Sequence, residues 1–463
     1  MIFVRLMQSM ARRLRNDKSR HSSYNYAMRF TSTRNKALSV GFAEAVLHCM
    51  PEDGGLYVPC DTEDLRRWIL YTDKTTSFAS IAGTLTSAFI KDEFSPIICE
   101  TIATTAFPFE PAVRRLDDTH FLLELFHGPS GCHRDFGIAY LTACLETILQ
   151  MRDSSATILA VTRRETGAVL AYELRGKKRI KAVVVCPKGS AYGMLESDYC
   201  WNGGNIYPVE IDGTEDDCRN LVRTIFSDRD FSETNRLTVA NTANIGRLLP
   251  QAFFYPFAFS RLKDEVPGDM YYALAPGNYS NVVAGLYSWR FALPLNGFFI
   301  PATDALTVDA AGDCIVLDSV VPYADRRPAD PTDPSNIERL EEVFSANTLM
   351  MRNFVYPVKL TDAMTDDAVK ELFVKYGVFA DRHTGRAYAA AKLKADMSSE
   401  DGGAVIIVAR DHPSLSADYI RQTTGEAPAM PERIASALKP IRIGKPAISS
   451  EAELRSVIAG VAG

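Results

Sequence analysis

Four short polar segments of this chain follow apolar, strand-like runs and carry most of the side chains able to do chemistry. The four segments are LFHGPSGCHRDFG (125–137), AVTRRETGAV (160–169), ALAPGNYSNVVAG (273–285) and IIVARDHPSL (406–415). In sheets of parallel strands, ligands bind beyond the carboxyl ends of the strands. We therefore expect these segments to surround one binding site.

The first segment joins a loop to a helix start, and the side chain at this junction is Arg134. A guanidinium is not deprotonated in proteins, so arginine is a poor nucleophile and a poor base. It holds carboxylate and phosphate groups well, through paired hydrogen bonds. The segment resembles a catalytic loop that lacks its nucleophile. For His127 and Asp135 we expect loop and helix-cap hydrogen bonds.

The third segment contains a loop of small and polar residues directly before an apolar helix. Its members are Gly277, Asn278, Tyr279, Ser280 and Asn281. Small residues let backbone N–H groups approach an anion, and the helix start adds favourable partial charge, so the pattern predicts a phosphate cradle. The alternative is an ordinary turn in which Asn281 caps the helix.

The pattern around these segments is that of an α/β protein. Short β-branched runs such as SATILAVT and IKAVVVCPKG alternate with helix-like segments and glycine or proline turns, which is typical of a mostly parallel sheet. From Met28 to about Phe109 the pattern is more helical and predicts a cap. The Pro- and Asp-rich stretch 323–336 predicts a long loop.

Composition narrows the class of protein. The chain has 463 residues, of which 46% are hydrophobic and 23% charged, enough for two or three domains of an ordinary globular protein. A net charge of −6 without a basic block in the body does not favour nucleic acid as a partner. No apolar run has the ~20 residues of a membrane span. The nine scattered cysteines show no metal-ligand spacing, and their odd number favours a reducing cytoplasm over a disulfide framework.

Residues 1–27 differ from the rest of the chain, because they contain six basic residues and a single acid. Such a leader is typical of an organelle transit peptide. Its helical amphipathicity is weak, however. We therefore expect a disordered extension, or a start codon placed upstream of a true start at Met28.

Taken together, longer stretches of the chain resemble the threonine synthase family. The stretch 30–59 contains the S-T-R and D-G-G-L-Y-V-P elements of that family, 124–137 resembles E-L-F-H-G-P-T-x-x-F-K-D, 240–251 resembles A-N-S-I-N-x-x-R-L-L-P-Q, 277–281 stands for G-N-F-G-N, and 410–413 stands for T-A-H-P. The resemblance runs in order from about Met28 to about Pro413. It implies the α/β fold of the fold-type-II pyridoxal phosphate (PLP) enzymes, with two doubly wound, mostly parallel sheet domains.

On this basis we predict four regions along the chain. They are a basic extension at 1–27, a helical N-terminal cap at 28–110, a first α/β domain at 111–265, and a second α/β domain with the phosphate-type loop at 266–463.

The resemblance also implies a reaction, the conversion of O-phosphohomoserine and water to threonine and phosphate. PLP stabilises carbanions in that chemistry, and a lysine holds the cofactor and moves protons. By resemblance, the cofactor contacts the loop 277–281 and the residue at 410, and the substrate meets the stretch with Asn244 and Arg247. Helix capping and a structural ion pair are the alternative roles of these two residues.

The sequence departs from the family where that chemistry takes place. The Schiff-base lysine falls on Arg134, and no lysine occurs from residue 92 to residue 176. The Ser and Gly of the family's T-S-G-D-T-G fall on Arg163 and Arg164, and the Thr of T-A-H-P falls on Arg410. Long side chains would occupy space that a glycine leaves open. A guanidinium offers only donors, which a protonated pyridinium nitrogen cannot accept.

Four arginines would thus ring one pocket, namely Arg134, Arg163, Arg164 and Arg410. They either form ion pairs in a disused site or build a new anion site. We predict a threonine synthase-like pseudoenzyme, inactive or impaired, that does not bind PLP covalently and retains a place for a small anionic metabolite. The alternative is a working PLP-dependent threonine synthase, a carbon–oxygen lyase of amino-acid biosynthesis. The sequence leaves open whether the protein is a monomer or a homodimer.

Overall fold

The computed structural model describes residues 29–162, 164–316, 321–345, 347–398 and 402–463. The extension predicted at 1–27 and the residue Arg163 lie outside these ranges. Within them, no helix combines the length and the apolar character needed to cross a membrane.

Strands and helices alternate along most of the described chain. The strands are β1 (Phe30–Ser32), β2 (Tyr57–Pro59), β3 (Ala112–Arg115), β4 (His120–Glu124), β5 (Ala156–Val161), β6 (Ile180–Pro187), β7 (Ile206–Ile211), β8 (Leu237–Thr238), β9 (Met270–Ala273), β10 (Gly297–Pro301), β11 (Leu306–Val308), β12 (Cys314–Val316), β13 (Val355–Val358) and β14 (Ala404–Ala409). The α-helices are α1 (Phe42–His48), α2 (Arg66–Tyr71), α3 (Phe78–Ile90), α4 (Pro96–Ala106), α5 (Arg134–Met151), α6 (Arg164–Leu174), α7 (Glu215–Ser227), α8 (Arg229–Thr234), α9 (Ile245–Leu248), α10 (Phe254–Leu262), α11 (Ser280–Arg290), α12 (Ile337–Val343), α13 (Thr348–Arg352), α14 (Asp362–Tyr376), α15 (Arg382–Lys392), α16 (Ala395–Ser398), α17 (Ala417–Thr424), α18 (Glu432–Ala437) and α19 (Glu451–Ala462).

Two parallel sheets form the framework, which confirms the predicted α/β fold. The larger sheet has the strand order β13-β10-β9-β14-β4-β3, and its neighbours are parallel except for the antiparallel pair β3–β4. The smaller sheet, β7-β6-β5-β8, is parallel throughout. Apolar strands with helices on both faces are the expected composition of such sheets.

The two sheets do not follow the domain boundaries predicted at 111–265 and 266–463. Strand β4 lies within the first range but pairs with β14 near the end of the chain. Its buried residues Phe121, Leu122 and Leu123 alternate between both sheet faces, so the strand needs an interior place in a covered sheet. The C-terminal helix α19 lies within the second predicted range but packs on the smaller sheet, because its Leu454 and Ile458 join the core of that sheet.

The N-terminal cap is helical, as predicted, but also contains the antiparallel pair β1–β2. It shares a core with the rest of the protein. Phe78 of α3 packs against Phe107, Phe136 of α5 and Phe254 of α10. Helix α5 is buried along most of its length, and this burial fixes the place of its first residue, Arg134.

Candidate functional site

A cavity of about 40 Å³ lies beyond the carboxyl ends of β4, β14 and β9, three neighbouring strands of the larger sheet. The lining residues are Leu123, Leu125, His133, Gln251, Phe254, Tyr255, Pro276, Asn278, Ser280, Asn281, Val408 and Arg410. Three of the four polar segments therefore meet at one site. The remaining segment, 160–169, follows β5 of the smaller sheet, and α6 begins there at Arg164.

The loops after β4 and β14 are joined by backbone hydrogen bonds. His133 N donates to Arg410 O over 2.8 Å, and His412 N donates to Gly131 O over 2.7 Å. This pairing brings Asp411 to the first turn of α5, where its Oδ1 lies 3.9 Å from Nη1 of Arg134. Burial by itself would raise the pKa of Asp411, but the hydrogen bond from His133 and the charges of the two arginines outweigh burial and hold this pKa well below its usual range. Asp411 is therefore ionised.

His133 was not among the predicted site residues, although it lines the cavity. Its Nδ1 lies 3.1 Å from Oδ1 of Asp411. Burial lowers the pKa of His133 to about 4, and the charges of Arg134 and Arg410 act in the same direction. A signal was present in the family pattern quoted above, which has Phe at 133 and Ala at 411. Two apolar positions have become a hydrogen-bonded pair.

The phosphate-type loop is fixed by its own side chains. Nδ2 of Asn278 donates to Oγ1 of Thr242 over 2.8 Å and to the carbonyl of Pro334 over 3.0 Å. Oγ of Ser280 donates to Oε1 of Gln251 over 3.2 Å. The start of α11 is thus held in place at the edge of the cavity, as an anion site requires.

The left-handed backbone of this loop falls on Gly277 and Tyr279, with φ of +55° and +65°. Ser280 replaces the family's second glycine but begins α11, so the serine does not bear a left-handed conformation. Nor does Asn281 act as the cap residue before the helix, because it lies inside the first turn. A bulky residue with positive φ is uncommon and costs energy, and such residues cluster at functional sites.

Arg410 packs against this loop. A Cβ atom placed on Gly277 would lie only 3.1 Å from Nη1 of Arg410. The guanidinium therefore sits near the start of α11, where the helix dipole disfavours a positive charge. Its Nε is buried and has no hydrogen-bond partner within the described part of the chain. An anion between the guanidinium and the helix start would satisfy both groups.

Arg247 lies beneath the first turn of α5 and is 5% exposed. Nε and Nη1 of its guanidinium are buried and find no hydrogen-bond partner among the described residues. Gly137 makes room for it, because a Cβ there would collide with Nη1. Burial lowers the pKa of Arg247 to about 10, and the charge of Arg134 acts in the same direction. The ion pair considered as an alternative role is not present in the described structure.

Asn244 is the cap of the short helix α9. Its Oδ1 accepts from Gly246 N over 2.9 Å, and its Nδ2 donates to the carbonyl of Val46 over 2.8 Å. The side chain is fully buried and does not line the cavity. These contacts are those of the capping role considered as the alternative to substrate contact.

Two carboxyl groups have raised pKa values, one in the segment 125–137 and one on α6. Asp135 accepts from Ser130 N over 3.0 Å, the loop hydrogen bond expected for it, and burial raises its pKa to about 6. Burial and the nearby Asp135 raise the pKa of Glu173 on α6 to about 8. The folded protein therefore favours the protonated form of Glu173.

We expect the substitution Glu173→Gln to stabilise the protein increasingly as pH rises from about 4.5 to about 8. A group whose pKa rises on folding stabilises below its unfolded pKa, here near 4.5, and this contribution is lost as pH rises through about 8. Glutamine mimics the protonated side chain at every pH. Urea unfolding should give equal stability for variant and parent below about pH 4.5, a growing advantage of the variant between about pH 4.5 and 8, and a constant advantage above about pH 8. Glu426→Gln, at an exposed glutamate, is the control; a pH-independent difference for Glu173→Gln would contradict the assignment.

Comparison with solved structures gives the class of protein. The crystal structure of threonine synthase from Escherichia coli matches with a TM-score of 0.75 at 26% identity, covering 94% of this chain and 100% of that one. A PLP-bound threonine synthase from Brucella melitensis matches with a TM-score of 0.77 at 21% identity, again over 94% and 100% of the two chains, and supports the fold alone. The fold is that of the fold-type-II PLP enzymes.

Comparison with known sequences narrows that class. The family described as "Threonine synthase N terminus" matches residues 29–107. The threonine synthase of Serratia marcescens is 26% identical over 438 residues, 94% of this chain and 100% of the relative. That of Escherichia coli K12 is 29% identical over 413 residues, 88% of this chain and 94% of the relative. The chain is threonine synthase-like along nearly its whole length.

Proposed function

We propose that this threonine synthase-like protein does not carry out the family's reaction and instead binds a small anion in the cavity bounded by His133 and Arg410. The observation that carries the proposal is the guanidinium of Arg410 at the start of α11, whose buried Nε has no hydrogen-bond partner among the residues that the structure describes. Arg134 adds a second positive charge nearby, because its Nη1 lies 3.9 Å from Oδ1 of Asp411, the residue that follows Arg410. Such an arrangement attracts an oxyanion through charge and directed donors together.

The residues around the cavity do not fit PLP held as a Schiff base. No lysine lines the cavity in the described structure, and the first residue of α5 is an arginine. The cavity of about 40 Å³ holds on the order of two or three water molecules, whereas small-molecule pockets measure roughly 300–1,000 Å³. Arg410 occupies the space beside Gly277 that the cradle would offer to a phosphate-bearing ring.

The second candidate is a working threonine synthase. It is favoured by the extent of the sequence match, which covers 88–94% of this chain. The scaffold around the loop also persists, since Asn336 N donates to Asn278 O over 3.0 Å and links the loop to α12. This reading requires an amine nucleophile at the cavity, which the lining residues do not supply.

We expect inorganic phosphate to raise the melting temperature of the full-length protein. An anion bound only by the folded state, at a hundredfold excess over its dissociation constant, adds about 2.7 kcal/mol of stability. Differential scanning fluorimetry with phosphate, O-phosphoserine and malate, at matched ionic strength, measures the shift. Added chloride should weaken the shift if attraction is mainly electrostatic.

Arg410→Ala should abolish this stabilisation. Arg421→Ala is the matched control, because it removes the same charge from an exposed site on α17. If none of the anions stabilises the parent, or if Arg410→Ala responds as strongly as the parent, the anion site is wrong. The arginines are then ion-paired residues of a disused pocket.

A further inference from the structure

The hydrogen-bond inventory of His133 specifies what a ligand must offer. Asp411 is ionised and can only accept, so the hydrogen between the two side chains belongs to Nδ1 of His133. With its pKa near 4, the ring is neutral at physiological pH and carries that one hydrogen. Its other nitrogen, Nε2, therefore has a lone pair and can only accept a hydrogen bond.

On the other side of the cavity, Arg410 requires hydrogen-bond acceptors from a ligand. Arg410 offers donors only, and its buried Nε has no hydrogen-bond partner within the described residues. The N–H groups of Ser280 and Val282 at the start of α11 already donate to Asn278 and Asn281, so the helix start contributes its partial positive charge to this side of the cavity. A ligand that satisfies all these groups has negatively charged oxygens on the Arg410 side and a hydroxyl hydrogen on the His133 side.

We infer that the cavity selects a protonated oxyanion, a phosphate group that retains one hydrogen, over a fully deprotonated oxyanion such as sulfate. Arg410 and the start of α11 hold the charged oxygens, and Nε2 of His133 accepts the hydrogen of the remaining hydroxyl. This inference rests on the anion site proposed above and adds the rule by which that site discriminates. The hydrogen bond between His133 and Asp411 causes this discrimination, because it keeps the ring hydrogen on Nδ1 and leaves Nε2 as an acceptor.

Size and charge support the same ligand class. The cavity volume of about 40 Å³ suits a few heavy atoms, the scale of two or three ordered waters. Sulfate has the same tetrahedral shape as phosphate but no hydrogen at neutral pH. Its oxygen lone pair would face the lone pair of Nε2, unless His133 took up a proton against its buried surroundings and the charges of Arg134 and Arg410.

Isothermal titration calorimetry on the full-length protein at pH 7 tests this rule with two matched pairs of ions. Phosphate and arsenate carry a hydrogen at that pH, whereas sulfate and selenate do not. We expect the first pair to bind at least tenfold more tightly than the second at equal ionic strength. Methyl phosphate, a monoester whose second pKa is about 6, is mostly without a hydrogen at pH 7 and should bind more weakly than free phosphate. Equal binding of the two would contradict the proton rule.

His133→Gln removes the rule without removing the side chain's polarity, because an amide can donate or accept. The phosphate-to-sulfate ratio should fall towards one in this variant. His383→Gln is the control, because His383 feels the charge of Arg410 but does not line the cavity; it should keep the parent's ratio.

The outcomes separate the two proposals. If none of these ions binds, the anion site itself is wrong. If sulfate and selenate bind as tightly as phosphate and arsenate, the site exists but the proton rule is wrong. A ratio that survives in His133→Gln equally overturns the role of His133, and the comparison of ions on the parent protein holds even if that variant fails to fold.

Discussion

The variant Arg134→Lys is expected to form no threonine from O-phosphohomoserine, even when supplied with PLP. The substitution restores the amine that the family uses, but it leaves the rest of the cavity as it is. Arg410 still fills the space beside Gly277, and the hydrogen-bonded pair of His133 and Asp411 still lies at the N-terminus of α5. A cavity of about 40 Å³ is also far smaller than the roughly 300–1,000 Å³ of pockets that hold small molecules.

Chromatographic detection of threonine measures this outcome. The reference is the turnover of typical enzymes, which is about 1 to 1,000 per second. Borohydride reduction followed by mass spectrometry gives an independent readout, and we expect no pyridoxyl-lysine in the parent protein. Arg421→Lys, the same exchange on an exposed helix, is the control. Substantial turnover by Arg134→Lys alone would show that Arg410 and His133 do not block the family's chemistry.

The largest loss of stability is expected from Arg339→Met. Arg339 is fully buried on α12, and its guanidinium donates to the carbonyls of Tyr57, Thr242 and Ala243 and to Oδ1 of Asn336. Methionine fills similar space but leaves these acceptors without donors. Each unsatisfied buried acceptor costs roughly 1–3 kcal/mol, so a total of about 4 kcal/mol or more is expected. Urea unfolding monitored by circular dichroism measures it.

Arg247→Met is the matched comparison, and we expect the opposite sign. Arg247 is also buried, but Nε and Nη1 of its guanidinium have no partner in the described structure. Replacing an incompletely paired buried charge by an apolar side chain of similar size is often neutral or stabilising by about 1–4 kcal/mol. If Arg247→Met destabilises the protein as strongly as Arg339→Met, the guanidinium of Arg247 has a structural partner. A stable Arg247→Met variant would mean that this arginine is retained at a cost in stability, as functional residues often are.

The sequence by itself determined the class of fold and the general place of the site. Short β-branched runs followed by glycine or proline turns are local signals, and a local period of two or 3.6 residues is sufficient to assign strands and helices. The loop 277–281 also carries its own signal, since small residues before an apolar helix are the local chemistry of an anion site. For the same reason, Arg134 could be assigned to a helix start and Arg410 to the end of a strand before their surroundings were known.

Only the tertiary structure decided which segments share a sheet and which side chains share a proton. Strand β4 joins β14 rather than the strands that follow it in sequence, because its two apolar faces need covered neighbours on both sides. His133 and Asp411 are 278 residues apart in the chain and meet because two loops pair at the edge of that sheet. That Nε and Nη1 of Arg247 find no hydrogen-bond partner among the described residues likewise depends on what the first turn of α5 brings near them. Such contacts depend on the packing of distant segments and on the desolvation that packing imposes, and neither leaves a periodic mark in the sequence.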